Sequence, residues 1–393
     1  MLTGASSVTG TPGGAGTPGG AGAGTTGTPG TAWAGTTGTP GAAGAGTTGT
    51  TASADVTGTP GTAGVGTTGT PGTAGTTGGA GASTAGRWEL LRALGALAAD
   101  PPARTWPVAV ALGVPRWTAA EHTELFVLAL PPFASVHLGA DGKLGGDAAD
   151  RVAGVWRVLG LAPPADPDHL GTILALYAEL GEAAGTARTP AARGRLGRAR
   201  EAVLWEHLWP WLPGYLSAVT AESAAARPWA RLMLRALTAE ARQSRPPSAL
   251  PLALRAAPEP VSAEAGYERL LDALSARIRT GCVLTYGAVA DGARQLGLGL
   301  RRGERRFALK AMLEQDPART LRWLAGQADA WVARHRIEPD PVTGCGQWWA
   351  DRAATAARRF RAAATACELQ AALVSRVILR HGGERTIAGS AGP

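Results

Sequence analysis

The chain of 393 residues is short of several things, and each shortage removes a class of explanation. Cysteine is scarce: Cys282, Cys345 and Cys367 are the whole supply, the count is odd, and no C-x-x-C spacing occurs. That pattern excludes a disulfide framework and a structural zinc site, and it fits a reducing compartment. Lysine is nearly missing: only Lys143 and Lys310 are present, so arginine supplies the remaining 36 of the 38 basic residues. Together with the excess of Ala, Gly and Pro, this usage points to a GC-rich coding sequence. The arginines are scattered among Ala, Leu and Glu, so the net charge of +8 reads as solvated helix faces, and nucleic acid is not an expected partner. No run of 18 apolar residues occurs, which predicts no membrane-spanning helix and no stable membrane association. The opening Met1-Leu2-Thr3-Gly4 has neither a basic n-region nor an apolar h-region, so no secretory signal is expected and the predicted location is the cytoplasm.

Motifs of chemistry are also missing. The six histidines (122, 137, 169, 207, 335 and 381) are dispersed without an H-E-x-x-H pair, and neither G-x-S-x-G nor G-K-[ST] occurs. Asp168 and His169 are adjacent, but an acid–base pair needs a nucleophile or second base, and no motif supplies one. The expectation is a protein that is not an enzyme and needs no cofactor or metal.

What is present falls into four stretches. Residues 1–86 are Gly, Thr, Ala and Pro with one charge, Asp55, and one aromatic, Trp33. The heptapeptide Gly24–Gly30 recurs at Gly35–Gly41 and Gly66–Gly72. Such a composition cannot bury a core, and its Gly and Pro density opposes helix, so disorder is predicted. Residues 87–245 carry helical periodicity throughout. Trp88, Leu91, Leu94 and Leu97 recur at helical spacing until Asp100-Pro101-Pro102. Thr118 to Glu121 forms a capping box, with Leu125, Leu128 and Ala129 as the apolar face behind it. Another helix is expected over 147–159. Asp166 is placed to cap the next, with Pro167, Asp168 and His169 in its first turn and Leu170, Ile173, Leu174, Tyr177 and Leu180 as its stripe. A tryptophan-rich helix over 196–219, kinked by Pro210 and Pro213, has Trp209 off its apolar face, which makes Trp209 the surface-anchor candidate.

Residues 246–261 read as a Pro-rich linker, and residues 262–393 as a helical extension. One weak strand is expected at 281–286. The fold class is all-α. In the extension, the segment 285–306, with Arg301, Arg302, Arg305 and Arg306, vaguely resembles a helix-turn-helix, which leaves a DNA-binding regulator as the alternative reading.

Three segments resemble one family. Pro131-Pro132-Phe133-Ala134-Ser135-Val136-His137-Leu138 is similar to a P-P-Y-E-S-V-Y-L segment, and Pro167-Asp168-His169-Leu170 to a P-D-H-L signature. His207-Leu208-Trp209-Pro210-Trp211 resembles the start of an H-L-x-x-W-x-P-x-F helix. All three occur in order in the TorD/DmsD/NarJ family of redox-enzyme maturation chaperones. The resemblance implies an all-helical, TorD-like chaperone bundle over 87–245. It implies binding of the twin-arginine leader or N-terminus of a molybdopterin oxidoreductase catalytic subunit while its cofactor is inserted, and a monomer or domain-swapped dimer. It places Pro132, Ser135, Pro167, Asp168, His169, Leu170, His207 and Trp209 at the signal-peptide site. The chain departs from the pattern at Ala134 and Ala165, where the family has Glu, and at His137, where it has Tyr, so the acidic side of the implied groove is thinner.

Overall fold

The computed structural model describes residues 79–387, apart from 263–265, 301–302, 338–339 and 341–342; the predicted disorder of residues 1–78 lies outside it. The fold is all-α: among the described residues the one β-type pairing is an isolated bridge between Phe133 and His169. The strand expected at 281–286 does not form. Gly281 closes a helix in the left-handed region and Thr285 caps the next, which leaves 282–284 as a short extended connection.

The first helices are α1 (Gly79–Ala99), α2 (Pro102–Ala111) and α3 (Ala119–His122). Helix α1 starts eight residues before the expected onset of order at Arg87. Its first turns lack the prolines that break the upstream repeat, the last of which is Pro71. Helix α2 escaped the sequence reading because Pro101-Pro102 looked like a stop. Pro102 sits instead in the first turn, where the missing N–H has no partner to lose. The capping box forms as expected, with Glu121 N donating to Thr118 Oγ1 and Thr118 N to Glu121 Oε2.

From α3 the chain passes into a π-helical turn, Thr123–Ala129, whose wider winding ends with Leu130 N donating to Leu125 O at 2.7 Å. The extra residue per turn shifts the helical phase. Leu125 stays buried, but Leu128, expected on the same face, is 66% exposed. After α4 (Ala134–Leu138), α5 (Gly146–Val158) and α6 (Leu170–Thr186), the tryptophan-rich stretch is not one kinked helix. It is α7 (Pro190–Ala202), a second π-helical turn at Val203–Leu208, a break at 209–211, and α8 (Leu212–Glu222). This second phase shift overturns the surface role expected for Trp209. It is 2% exposed, with its ring edge-on to Trp205.

The remaining helices are α9 (Arg227–Gln243), α10 (Leu252–Arg255), α11 (Tyr267–Ser275), α12 (Arg277–Thr280), α13 (Tyr286–Leu296), α14 (Arg305–Gln315), α15 (Pro317–Ile337) and α16 (Cys345–Ile387). The Pro-rich stretch before α11 is packed down, with Leu254 and Val261 buried in the same hydrophobic core as Trp88 and Phe360. The extension grips the break in the tryptophan stretch directly. Trp349 Nε1 donates to Pro210 O at 2.7 Å, and Arg277 Nη1 to Trp211 O at 2.9 Å. No helix among the described residues is long and apolar enough to cross a membrane.

Candidate functional site

Two motif segments meet as a short ladder. Leu170 N donates to Pro132 O at 2.8 Å, and Ala134 N donates to Asp168 O at 3.0 Å. The Asp168 carboxylate accepts from Ser135 N at 2.8 Å. Ser135 is the second residue of α4, so Asp168 satisfies one of the orphan N–H groups at that helix start and places negative charge against its positive end. Ser135 Oγ in turn accepts from Gly145 N at 3.2 Å, fixing the glycine turn ahead of α5. Asp168 is 3% exposed and Ser135 fully buried.

The expected cap of α6 is corrected. Asp166 does not cap it, because residues 167–168 form a turn and the bridge to Phe133 holds His169 in extended backbone, which delays the helix to Leu170. His169 is the N-cap: its Nδ1 accepts from Gly171 N at 3.1 Å, and its ring meets Phe133 edge-on at 4.8 Å. An accepting Nδ1 puts the proton of the neutral ring on Nε2. Burial lowers the imidazole pKa, against the pull of Asp166, Asp168 and Asp100. The pair is thus assembled as structure, with both members already bonded.

The same segment presents its other side to a cavity of about 890 Å³. Pro131, Val136 and His137 line it, with Leu128 from the first π turn and Leu144 from the glycine turn. The opposite wall comes from the extension: Leu274 and Arg277, then Cys282 to Leu284, then Glu304 to Arg306. Leu128 and Leu144 are 66% and 61% exposed, so the mouth is apolar. Three exposed carboxylates, Glu124, Asp141 and Glu304, also line it. Deeper in, the character reverses. His137 and Arg277 are 2% and 4% exposed. The His137 ring stacks on Trp211, with centroids 5.0 Å apart and planes 8° from parallel, and Tyr215 meets it edge-on. Burial and then Arg277 push its pKa well below the usual histidine range.

None of the eight residues expected at the binding site lines this cavity. Pro132, Asp168, Ser135 and Leu170 are buried in or beside the ladder, and Pro167 and His169 are half-buried next to it. His207 and Trp209 lie on the second π turn and the break after it. The lining residues that the motifs did not reveal are Leu128, turned outward by a π turn, and the arginines of the extension, which only the tertiary fold brings opposite His137.

His207 carries a pH-dependent term. Burial, reinforced by Arg151, holds its imidazole down at about 4, while the unfolded chain returns it to about 6.5. Between those values the unfolded chain binds more protons. The stability from His207 is therefore full above about pH 6.5 and lost as pH falls toward about 4. His207→Gln is expected to remove on the order of 2 kcal/mol of the acid loss, allowing for the partial exposure of the ring. Urea unfolding of both proteins at about pH 7 and about pH 4.5 measures this, and equal pH slopes would refute it.

The helix-turn-helix alternative meets a different packing. Helices α13 and α14 do follow one another. However, Arg306 is paired with Glu268 and Asp272, at 2.7 and 2.9 Å. Arg305 donates inward to the carbonyls of Leu284 and Ser275. Arg301 and Arg302 lie outside the described residues.

Residues 100–217 match the nitrate reductase delta subunit family. No curated protein matches the chain. The match bears out the resemblance read from the three motifs: residues 100–217 are similar to the NarJ/TorD type, a family of redox-enzyme maturation chaperones. The matched segment contains the whole ladder and the π-turn wall of the cavity. The extension that builds the opposite wall lies outside it.

Proposed function

We propose that this protein is a cytoplasmic maturation chaperone. It binds the twin-arginine leader or N-terminus of a molybdenum-cofactor oxidoreductase catalytic subunit and holds it while cofactor insertion and assembly proceed. The observation that carries this reading is the placement of the open cavity against the family-matched segment 131–138. The mouth suits such a leader chemically. Glu124, Asp141 and Glu304 can pair with leader arginines, and Leu128 and Leu144 offer an apolar surface to its hydrophobic stretch. In this reading Pro132, Ser135, Pro167, Asp168, His169 and Leu170 act by positioning. They fix α4 and the glycine turn, and so set where Val136, His137 and Leu144 stand.

The test is fluorescence polarisation of a labelled twin-arginine leader from a molybdoenzyme catalytic subunit against the full chain. Binding is expected. Combined Glu124→Lys and Glu304→Lys should weaken it about tenfold, equivalent to about 1.4 kcal/mol, with no change in melting temperature. A leader whose arginine pair is replaced by alanines should lose a similar factor. No binding, or equal binding of the two leaders, would refute the reading.

A further inference from the structure

The rim carboxylates account for the cavity's mouth but not for what lies beneath. Arg305 has two neutral partners, the carbonyls of Leu284 and Ser275, the latter at 2.9 Å. No carboxylate among the described residues forms an ion pair with it. Arg277 lines the same cavity, bonded to Trp211 O and lying over the Trp349 ring with its guanidinium carbon 4.4 Å from the centroid. His137 lines the cavity with them, and its buried Nε2 has no hydrogen-bond partner among the described residues. A guanidinium stays charged at any relevant pH. Removing it from water is costly, and carbonyl acceptors offset only part of that cost. The three nearby carboxylates are all exposed at the rim, so the cavity is anionic outside and cationic within.

We propose that the inner part of this cavity is a binding site for an oxyanion, a carboxylate or a phosphate, carried on a partly apolar small molecule. The Arg305 guanidinium supplies the charge and a geometry suited to planar or tetrahedral oxygens, with Arg277 in the same lining. The apolar walls from Leu128, Leu144 and Leu274 take the body of the ligand. His137 Nε2 accepts a hydrogen bond from a hydroxyl on it. The volume of about 890 Å³ is that of a small-molecule site and far exceeds what a bare ion needs. Because one wall belongs to residues 274–287 and 303–306, the site requires the extension, and this gives that part of the chain a role. The inference goes beyond the leader reading. It concerns the inner cavity rather than the mouth, and it stands or falls without any leader.

The test uses the full chain and two probes that share a tail and differ in the sign of the head, octanoate and octyltrimethylammonium, with inorganic phosphate as a third. Isothermal titration is expected to show octanoate binding at least tenfold tighter than octyltrimethylammonium. Phosphate binding alone would mark a phosphate ester as the ligand class, and octanoate binding alone a carboxylate; either supports the site. Arg305→Gln should weaken the bound oxyanion at least tenfold, and Arg305→Lys, which keeps the charge if the first variant does not fold, by no more than about threefold. Preference for the cationic head, or binding of neither oxyanion, overturns the proposal. Since no leader is present, that failure is separate from failure of leader binding.

Discussion

Replacing Asp168 by alanine is expected to destabilise the folded chain by about 3 kcal/mol, whatever it does to client binding. Its carboxylate is 3% exposed and accepts from Ser135 N at 2.8 Å. A hydrogen bond to a charged group contributes about 1.5–3 kcal/mol, and a buried N–H left without an acceptor costs about 1–3 kcal/mol more in the worst case. The N–H in question sits in the first turn of α4, where no intrahelical acceptor exists to replace the carboxylate. Asp168→Asn keeps an oxygen in place and loses mainly the charge, so about 1 kcal/mol is expected of it. Urea midpoints at unchanged slope measure both. The same pair of variants separates two roles. A carboxylate that touches the leader would give a stable Asp168→Ala protein that fails to bind peptide. A positioning carboxylate gives a destabilised one, and Asp168→Asn then binds leader within about twofold of the parent at a temperature where both are folded. An unchanged midpoint in Asp168→Ala would show the buried role to be wrong.

The helices that periodicity could define were largely legible. The capping box at Thr118 and the stripe from Leu170 to Leu180 formed where the spacing put them, because apolar recurrence and local capping act within a few residues. The failures share a cause. A π turn inserts one residue into the helical phase, and nothing in the residue types of Thr123–Ala129 or Val203–Leu208 announces it. Counting at 3.6 residues per turn therefore put Leu128 inside and Trp209 outside, and both are the reverse. The N-cap at Asp166 failed for a tertiary reason: the ladder with Pro132 and Ala134 outweighed a local preference. The motif segments did lead to the right region, since Asp168 and Ser135 lie directly behind the cavity wall. What faces the cavity from the other side is separated by more than a hundred residues of sequence and has no motif, so only the packed fold could bring Arg277 and Arg305 opposite His137.

That distant wall depends on how α12 is wedged against α16, and Gly281→Ala is expected to dislodge it at a cost of about 4 kcal/mol. Gly281 closes α12 at φ +73°, a conformation that costs a residue with a Cβ about 1–2 kcal/mol. An added Cβ would also lie 2.5 Å from Ala353 N and 2.9 Å from both Ala353 Cα and Trp349 O. These atoms are helical backbone near the start of α16 and cannot rotate away, so α12 and α16 must separate, which adds the about 1–3 kcal/mol typical of overpacking. The carbonyl of Gly281 is held as well, by His335 Nε2 at 2.8 Å. Gly297 is the control. It closes α13 at φ +66° with nothing within 4 Å of an added Cβ, so Gly297→Ala should cost only the conformational part, about 1–2 kcal/mol. The difference between the two urea midpoints isolates the contact, and equal losses would remove it from the account. Because Cys282, Val283 and Leu284 follow Gly281 directly into the cavity lining, Gly281→Ala should also weaken octanoate binding under conditions where it remains folded, while Gly297→Ala should leave that binding unchanged.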